Sequence, residues 1–368
     1  MKKLFEKAYE GKRVLVTGHT GFKGSWLSIW LRSLGAHVIG YALEPNTTPS
    51  LFKAAQLESK LDHYAKDVRN FSDLLTVVKK TRPEIVFHMA AQPLVRASYQ
   101  SPRETYETNV MGTVNLLEVL RQVGGVRSTV IITSDKCYEN REIDYAYKEE
   151  DPMGGFDPYS SSKGAAELVV QAYRRSFLSQ EGLASARAGN VVGGGDWAED
   201  RILPDCIRAL VSKEPVFVRN PQAIRPWQHV LEPLSGYLWL GAQLLKNPKK
   251  FSGPWNFGPN PEGNVTVRQV VELVLKEWGS GQWTSPPKKP DEKTVHEAHL
   301  LKLDCTKAQN LLSWKPVYSI AECLRESTNW YQAFYLEQNK DMEAFTREQI
   351  DRYVQKASGK DDPPSWVL

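Results

Sequence analysis

Cysteine is scarce in this chain, and long apolar segments are absent. The 368 residues include four cysteines, and no two of them form a Cys-x-x-Cys pair. Such scattered thiols exclude a disulfide-stapled secreted domain and are typical of a reduced cytosolic protein. No run of about 18 apolar residues is present to span a membrane, and the first residues lack the apolar core of a signal peptide. We therefore expect a cytoplasmic protein with no membrane partner.

An excess of one charge sign is also missing. The 47 lysines and arginines nearly balance 43 aspartates and glutamates, which leaves a net charge of +4 with both signs mixed along the chain. We therefore expect no nucleic-acid partner. His296 and His299 lie close in the sequence, but no cysteine or carboxylate cluster completes a metal site. We predict no metal and keep His299 as a residue of a ligand pocket.

Strand-like and helix-like segments alternate along the first half of the chain. Short apolar runs rich in β-branched residues predict strands at 13–17, 36–41, 84–91, 129–134 and 185–192. Helical spacing of apolar residues predicts helices at 25–34, 105–123 and 159–178. This alternation predicts an α/β fold, a Rossmann-type doubly wound parallel sheet with right-handed crossovers.

The rhythm changes after Gly193, where glycine, proline and tryptophan become frequent. We predict that residues 1–190 form a dinucleotide-binding domain and that residues 191–368 form mainly a smaller C-terminal α/β substrate-binding domain. A segment at about 225–258 is expected to return to the first domain. The polar, proline-rich stretch 358–364 is expected to be loose.

A glycine-rich turn joins the first predicted strand to the first predicted helix. It has Gly-x-x-Gly-x-x-Gly spacing and consists of Gly18, His19, Thr20, Gly21, Phe22, Lys23 and Gly24. Glycines at this place let the backbone approach a pyrophosphate, and the N-terminus of the following helix favours the anion. The turn therefore predicts a dinucleotide site.

The residues after the second strand bear on the choice between NAD and NADP. The acid that usually holds the adenosine ribose is missing at Ala42, and Glu44 is the nearest carboxylate. No arginine stands there to take a 2′-phosphate, so NAD is favoured. Asp67 and Val68 end another short strand and are candidates for contact with the adenine, although a turn aspartate is an equally good interpretation of Asp67.

A tyrosine–lysine pair and a cluster at a strand end carry the candidate chemistry. Ser134, Asp135 and Lys136 follow an apolar, β-branched run, and Tyr159 lies one helical turn before Lys163. On a helix this spacing places both side chains on one face. The lysine charge would favour the phenolate and lower the pKa of the tyrosine, so that Tyr159 could remove a proton from a sugar hydroxyl.

Taken together, these motifs resemble the extended short-chain dehydrogenase/reductase superfamily. The matching residues are the glycine turn, Asp67-Val68, His88-Met89-Ala90-Ala91, Asn109, Thr133-Ser134-Asp135, Tyr159 with Lys163, and Arg187 with Asn190. Within the superfamily, the stretches that resemble the CDP-glucose 4,6-dehydratases are 18–26, 134–138, 193–197, 201–204 and 225–230. Other nucleotide-sugar dehydratases usually have Asp-Glu where this chain has Asp135-Lys136.

The resemblance implies an NAD-dependent dehydration of CDP-glucose to CDP-4-keto-6-deoxyglucose, a step toward deoxysugars and O-antigen lipopolysaccharide. Tyr159 would take the proton of the C4 hydroxyl, with a hydrogen bond from Ser134. Lys136 would remove the C5 proton, and Asp135 would protonate the departing C6 hydroxyl. Lys163 would also bond the nicotinamide ribose.

Further contacts are implied by the same resemblance. On the cofactor side they involve Ala90, Ala91, Asn109 and Thr133. On the side of the sugar nucleotide the candidates are Asn190, Asp196, Trp197, Arg201, Arg225 and His299. Arginine suits a diphosphate because its planar fork binds two oxygens at once. Trp197 could stack on the base or fill the domain interface.

Two other functions stay open at this point. A nucleotide-sugar 4-epimerase shares the cofactor turn and the tyrosine–lysine pair, but it needs no elimination acid and base such as Asp135 and Lys136. A regulator that binds NAD(H) without turnover would have lost a catalytic group, and all of them are present here. The superfamily commonly pairs through two long helices, which implies a homodimer or homotetramer.

Overall fold

The computed structural model describes residues 4–285 and 301–368. Within these residues the strands are β1 (Arg13–Thr17), β2 (His37–Ala42), β3 (Asp62–Ala65), β4 (Ile85–His88), β5 (Ser128–Ile132), β6 (Ala146–Tyr147), β7 (Gly182–Arg187), β8 (Val191–Val192), β9 (Val216–Phe217), β10 (Ile224–Pro226), β11 (Gln228–His229), β12 (Gly253–Asn256), β13 (Asn264–Thr266), β14 (Trp283–Thr284) and β15 (Lys302–Leu303). The α-helices there are α1 (Phe22–Ser33), α2 (Leu51–Ala54), α3 (Phe71–Thr81), α4 (Val95–Gln100), α5 (Pro102–Tyr106), α6 (Gly112–Val123), α7 (Pro158–Ser176), α8 (Ile202–Val211), α9 (Leu231–Lys246), α10 (Pro248–Phe251), α11 (Val267–Trp278), α12 (Thr306–Leu312), α13 (Ile320–Tyr335) and α14 (Met342–Ser358).

One parallel sheet organises the molecule. In the described part of the chain it has seven strands in the order β12-β7-β5-β4-β1-β2-β3, and every neighbouring pair is parallel. The chain runs outward from β1 to β3 and then crosses to β4 on the other side of β1. This reversal leaves a crevice at the carboxyl ends of β1 and β4, the place where ligands bind in open α/β sheets. The predicted doubly wound fold is confirmed.

Both faces of the sheet are covered, because successive strand residues pack on opposite sides. In β1, Val14 and Val16 belong to one buried apolar cluster, and Leu15 belongs to another. The first cluster includes residues of α1 and α9, among them the fully buried Trp26 and Trp30. The second includes residues of α3 and α6. Burial on both faces explains why these strands are apolar throughout.

Two predicted element boundaries are wrong. The helix predicted at 105–123 is built from α5, a π-helical segment at Glu107–Met111, and α6. Such π segments recur at functional sites. The strand predicted at 185–192 is instead β7, which ends at Arg187. Beyond it Asn190 adopts a left-handed backbone with φ of 49°, which separates β7 from β8.

The C-terminal end of the chain is held against its N-terminal part. The fully buried ring of Trp366 stacks on Phe5 with 5.2 Å between centroids, and on Tyr353 with 5.7 Å. The stretch 358–364 joins α14 to this anchor, and its expected looseness stays a prediction.

Three further observations concern the described residues as a set. None of their helices is long and apolar enough to cross a membrane. Their four cysteines are buried free thiols. No group of three or more His, Cys, Asp or Glu among them could hold a metal ion.

Candidate active site

The glycine turn forms a close-fitting cradle at the crevice. Gly18 has a φ of 74°, and a Cβ on it would lie 2.6 Å from the backbone nitrogen of Ala90. A Cβ on Gly24 would lie 2.1 Å from the carbonyl oxygen of Gly18. The turn can therefore fold only without side chains at these two positions. Gly21 precedes α1 with no side-chain cap, so the helix presents uncapped backbone N–H groups, as an anion site requires. These residues fit a dinucleotide.

The side chain of His19 turns away from the crevice. Its ring is fully buried, and its Nε2 lies 2.8 Å from Nδ1 of His63. Burial, then repulsion from His63, lowers the pKa of His19 to about 3. The predicted cofactor contact of His19 is thus limited to its backbone.

The adenosine end of the crevice is acidic at its rim. Glu44 lies 3.6 Å from Nζ of Lys53 and 3.7 Å from Nε2 of His63. Thr20 Oγ1 donates to the carbonyl of Leu43 nearby. The fold therefore adds a lysine to a region where the sequence showed no cation, but it also pairs that lysine with Glu44.

Asp67 has a partner of its own. Its carboxylate accepts from the backbone nitrogen and from Nε of Arg69, both at 2.8 Å. This geometry favours the turn-aspartate interpretation over adenine contact by the side chain. The adjacent Val68 is buried and packs against Gly112, where a Cβ would lie 2.9 Å from the valine Cγ2.

Asn109 joins the loop after β4 to the catalytic helix. In the π-helical segment, its Oδ1 accepts from the backbone nitrogen of Gln92 at 2.8 Å, and its Nδ2 donates to Oγ of Ser162 at 2.8 Å. The same loop is held on its other side by Thr17, whose Oγ1 accepts from the backbone nitrogen of Ala90 at 3.2 Å. Ala90 and Ala91 are therefore fixed beside the glycine turn.

Tyr159, Ser134 and Lys163 come together as predicted from their spacing and strand position. All three are buried, and Lys163 Nζ donates to the carbonyl of Ile132 at 3.3 Å. Burial lowers the pKa of Lys163 to about 8, against the opposing effect of the Glu167 carboxylate.

The expected fall in the tyrosine pKa is wrong for the protein in this state. Burial raises the pKa of Tyr159 to about 12, and the hydrogen bond with Ser134 opposes this only in part. The physical reason is that desolvation of the phenolate outweighs the favourable charges around it. The neutral phenol is therefore the favoured form at pH 7.

Asp135 and Lys136 lie past the end of β5, in a single helical turn. Ser134 begins that turn, since its Oγ accepts from the backbone nitrogen of Lys136 at 3.2 Å and donates to Oδ1 of Asp135 at 2.9 Å. The turn removes the strand alternation that would send neighbouring side chains to opposite faces. Asp135 is only 2% exposed, and a Cβ on Gly189 would lie 1.8 Å from its Oδ2. Lys136 is half-buried.

Two cations complete the surroundings of the tyrosine. Burial, then repulsion from Arg201 and Lys163, lowers the pKa of Lys23 to about 8, while Asp135 opposes that change. Lys23 therefore faces the catalytic groups as well as the glycine turn. Arg201 Nη1 lies 2.7 Å from Oδ2 of Asp196. Asp196 thus orients the arginine, and its own contact with the substrate stays a prediction.

Trp197 fills the interface between elements, which corrects its candidate role as a stacking partner. It is 6% exposed, its Nε1 donates to the hydroxyl of Tyr335 at 2.8 Å, and its ring meets Trp330 and Phe334 edge-on. No face of the ring is left open to a base.

The remaining substrate candidates are dispersed around a cavity of about 330 Å³. The lining of this cavity includes Asp135, Gly189, Pro226, Gln228, Asn264 and Lys302. Asn190 and Arg225 are sequence neighbours of lining residues, and Arg225 is half-buried. His299 lies outside the described residues. A larger cavity, of about 560 Å³, lies by α13 and α14 and contains none of the catalytic side chains.

Glu167 and Arg187 form a buried ion pair behind the catalytic residues, with Glu167 Oε2 2.8 Å from Arg187 Nη2. Sequence reasoning quoted Arg187 within a motif and missed Glu167. The sequence feature that could have identified Glu167 is its spacing: it lies four residues after Lys163, and therefore on the same face of the helix as Tyr159 and Lys163. Its partner could not be identified without the packing of α7 against β7.

Comparison with known proteins identifies the family. The family model described as GDP-mannose 4,6 dehydratase matches residues 15–327. The chain belongs to that family. A CDP-glucose 4,6-dehydratase of Salmonella typhimurium is 50% identical over 354 residues, which cover 94% of this chain and 97% of the relative. The predicted resemblance to these dehydratases is thereby confirmed.

Solved structures in the same family group share the fold. The dTDP-glucose 4,6-dehydratase of Bacillus anthracis in complex with NAD is 22% identical to this chain, with a TM-score of 0.71. The match covers 91% of this chain and 100% of that one. The protein MoeE5 in complex with UDP-glucose and NAD is 26% identical, with a TM-score of 0.73 over 88% of this chain and 99% of that one.

Proposed function

We propose that this protein dehydrates CDP-glucose to CDP-4-keto-6-deoxyglucose with NAD as its cofactor. The single observation that carries the proposal is the placement of Asp135 and Lys136 in one turn at the sheet edge, beside Tyr159 and Lys163. An acid and an amine at that place are groups that an elimination requires and a simple oxidation does not. The 50% identity to a CDP-glucose 4,6-dehydratase supports cytidine as the base.

The glycine turn from Gly18 to Gly24 would hold the NAD pyrophosphate, and Asn109 would order the neighbouring loop. Bound NAD would supply the acceptor for hydride from C4 and the donor of hydride to C6. Lys163, on the catalytic helix, would bond the nicotinamide ribose through its ammonium. Because hydride is returned, no net oxidation occurs and no second reductant is needed.

The protein's own side chains move the protons. Tyr159 first gives its own proton to solvent, because the neutral phenol is not a base; the Ser134 hydrogen bond and the Arg201 charge favour the phenolate. The phenolate takes the proton of the C4 hydroxyl, which Ser134 also hydrogen-bonds, and the resulting ketone acidifies the C5 proton. Lys136 removes that C5 proton and gives a proton back to C5 when hydride is added at C6. Asp135, protonated, gives its proton to the C6 hydroxyl as it leaves as water. The 2.9 Å hydrogen bond from Ser134 to Asp135 joins a residue of the proposed oxidation step to the proposed acid of the elimination step.

Arg201 is the proposed diphosphate contact. Asp196 pairs with it, and its charge lies close enough to Tyr159 to lower the pKa of the phenol against the larger effect of burial. On a diphosphate, the planar guanidinium of Arg201 would donate to two phosphate oxygens at once. Asn190 and Arg225 are proposed for the ribose and the second phosphate.

A homo-oligomer is proposed, with α6 and α7 at the contact. Exposed apolar side chains stand at the end of the π segment before α6, on α7 and directly after α7: Met111, Leu168 and Phe177. A cytoplasmic location is proposed from the reduced cysteines and from a nucleotide-sugar substrate. The product would feed deoxysugar biosynthesis.

The proposal is tested by mixing purified protein, NAD and CDP-glucose and measuring the alkali absorbance of 4-keto-6-deoxy sugars. Lys136→Met and Asp135→Asn should still oxidise C4, seen as absorbance of reduced nicotinamide, but should release little product. Lys148→Met, on the exposed loop after β6, is the matched control for the lost lysine. Equal loss of oxidation and product in both variants would refute the elimination roles, and release of CDP-galactose would show an epimerase.

A further inference from the structure

The segment that carries the proposed acid and base is tied down at both ends. On its N-terminal side, Thr133 Oγ1 donates to Oε1 of Glu167 at 2.5 Å. On its C-terminal side, the hydroxyl of Tyr138 accepts from Nη1 of Arg187 at 2.7 Å. Ser134, Asp135 and Lys136 lie between these two ties. Both ties end on the same buried ion pair.

The ion pair is a firm anchor because its hydrogen-bonding groups are well satisfied. Oε1 of Glu167 accepts from Arg187 Nε at 3.0 Å as well as from Thr133, and Oε2 accepts from Arg187 Nη2 and from Ser185 Oγ at 2.7 Å. Burial would raise the pKa of Glu167, but Arg187 and the hydroxyl donors outweigh it and lower the pKa. The carboxylate thus stays ionised, and bidentate pairing with an arginine fixes its geometry.

Tyr138 is held on every side. Its hydroxyl donates to Oδ1 of Asn256 at 2.7 Å, and its ring lies 4.8 Å below the Arg187 guanidinium. The other face of the ring stacks on Tyr147 with 5.2 Å between centroids. The last residue of the 133–138 segment therefore cannot shift without breaking contacts to β7 and β12.

The same anchor reaches the oxidising pair. Glu167 lies one helical turn beyond Lys163 on α7, and its charge raises the pKa of Lys163 against the larger effect of burial. One buried carboxylate therefore contacts the elimination segment and acts on the helix of Tyr159 and Lys163. Its partner Arg187 is the last residue of β7, the strand that pairs with β5.

We propose that the Glu167–Arg187 pair, through Thr133 and Tyr138, is a positioning device that sets the elimination residues in register with the oxidising tyrosine. This inference rests on the proposed function, because it assigns the 134–136 segment to proton transfer at C5 and C6. Thr133, Tyr138, Glu167 and Arg187 are positioning residues in this proposal, since each acts through the 134–136 segment.

The test uses Tyr138→Phe, which removes the tie to Arg187 and leaves the ring. Thr133→Val is a second variant should the first fail to fold, and it is read by Cys137 labelling alone because Thr133 is also an expected cofactor contact. Tyr147→Phe is the matched control, because its hydroxyl bonds Arg141 and Asn140 outside the anchor. In single-turnover reactions Tyr138→Phe should slow the formation of the 4-keto-6-deoxy product from CDP-glucose by about ten- to a hundredfold. Oxidation at C4 and the KM should stay within about twofold of wild type.

A second readout does not depend on turnover. Cys137 lies inside the tied segment and is 0% exposed, so its alkylation rate in the native protein reports opening of that segment. Tyr138→Phe and Thr133→Val should speed alkylation of Cys137 at least about tenfold, with the buried Cys206 and Cys323 as internal references. Tyr147→Phe should not.

Each outcome decides the matter. Unchanged Cys137 labelling in both variants, or an equal loss of C4 oxidation and product, would overturn the proposal. A wild-type protein that does not turn over CDP-glucose would refute the proposed function instead, while the labelling comparison would still decide whether the anchor fixes the segment.

Discussion

A methyl group at position 189 should disable the elimination step with little damage to the fold. In Gly189→Ala the new Cβ would lie 1.8 Å from Oδ2 and 2.1 Å from Cγ of Asp135, whereas ordinary contact begins at 3.4 Å. The carboxylate must therefore move by about 1.6 Å, the difference between 3.4 and 1.8 Å. The backbone can accept alanine, since position 189 does not have a left-handed φ.

The size of the effect follows from that displacement. A misplacement of about 1 Å can cost about a hundredfold in rate, which corresponds to about 2.7 kcal/mol of activation free energy. Overpacking of this kind costs about 1–3 kcal/mol in the free energy of unfolding, toward the lower value here because a carboxylate end can rotate. We expect product formation to fall about a hundredfold.

The assay separates the two half-reactions. Gly189→Ala should oxidise C4 at close to the wild-type rate and accumulate reduced nicotinamide, while the alkali absorbance of product stays low. Gly258→Ala is the matched control, because it lines the same cavity and its Cβ would come no closer than 3.3 Å to Sγ of Cys305. Product formation within about twofold of wild type in Gly189→Ala would refute the proposed role of Asp135.

Four further predictions concern the oxidising pair, the cofactor and the interface. Tyr159→Phe should lower turnover by about 10²–10⁴-fold while keeping NAD binding, and Tyr173→Phe on the same helix should change neither; near-normal turnover of the first variant would exclude Tyr159 as the base. Since the pKa of Lys163 is about 8, its protonated fraction falls as pH rises through that value, so kcat should decline on the basic side. Glu167→Gln removes a charge that raises the pKa of Lys163 and should move the decline in kcat to lower pH. A decline at unchanged pH would contradict its assignment to Lys163. Calorimetry on cofactor-free protein should show tighter binding of NAD than of NADP, and the reverse order would refute the interpretation of the second strand. Trp197→Phe should lower the free energy of unfolding by about 1–3 kcal/mol with KM for CDP-glucose within about twofold, whereas a large rise in KM would restore a substrate role.

Features set by short-range sequence were predictable. The turn from Gly18 to Gly24 sits between a strand and a helix that are both visible from apolar spacing, and its close backbone contacts permit only glycine at two positions. Tyr159 and Lys163 share a face because four residues make about one turn of a helix. Both features depend on neighbours within one supersecondary unit.

Features set by distant residues were not predictable in the same way. Trp197 is enclosed by α13, which lies more than a hundred residues further along the chain, so burial decided a question that its motif left open. Glu167 on α7 meets Arg187 only because that helix packs against β7. The raised pKa of Tyr159 reflects burial from several elements at once, which spacing to one lysine cannot report.

The central claim is that one hydride leaves C4 and returns to C6 while water is eliminated between C5 and C6. CDP-glucose labelled with deuterium at C4 tests this most directly, with the product analysed by NMR and mass spectrometry. The account predicts that the label appears at C6 of a 4-keto-6-deoxy product and that a reaction run in deuterated water places one solvent deuteron at C5. A label that stays at C4, in a product that keeps its C6 hydroxyl, would contradict the dehydratase assignment.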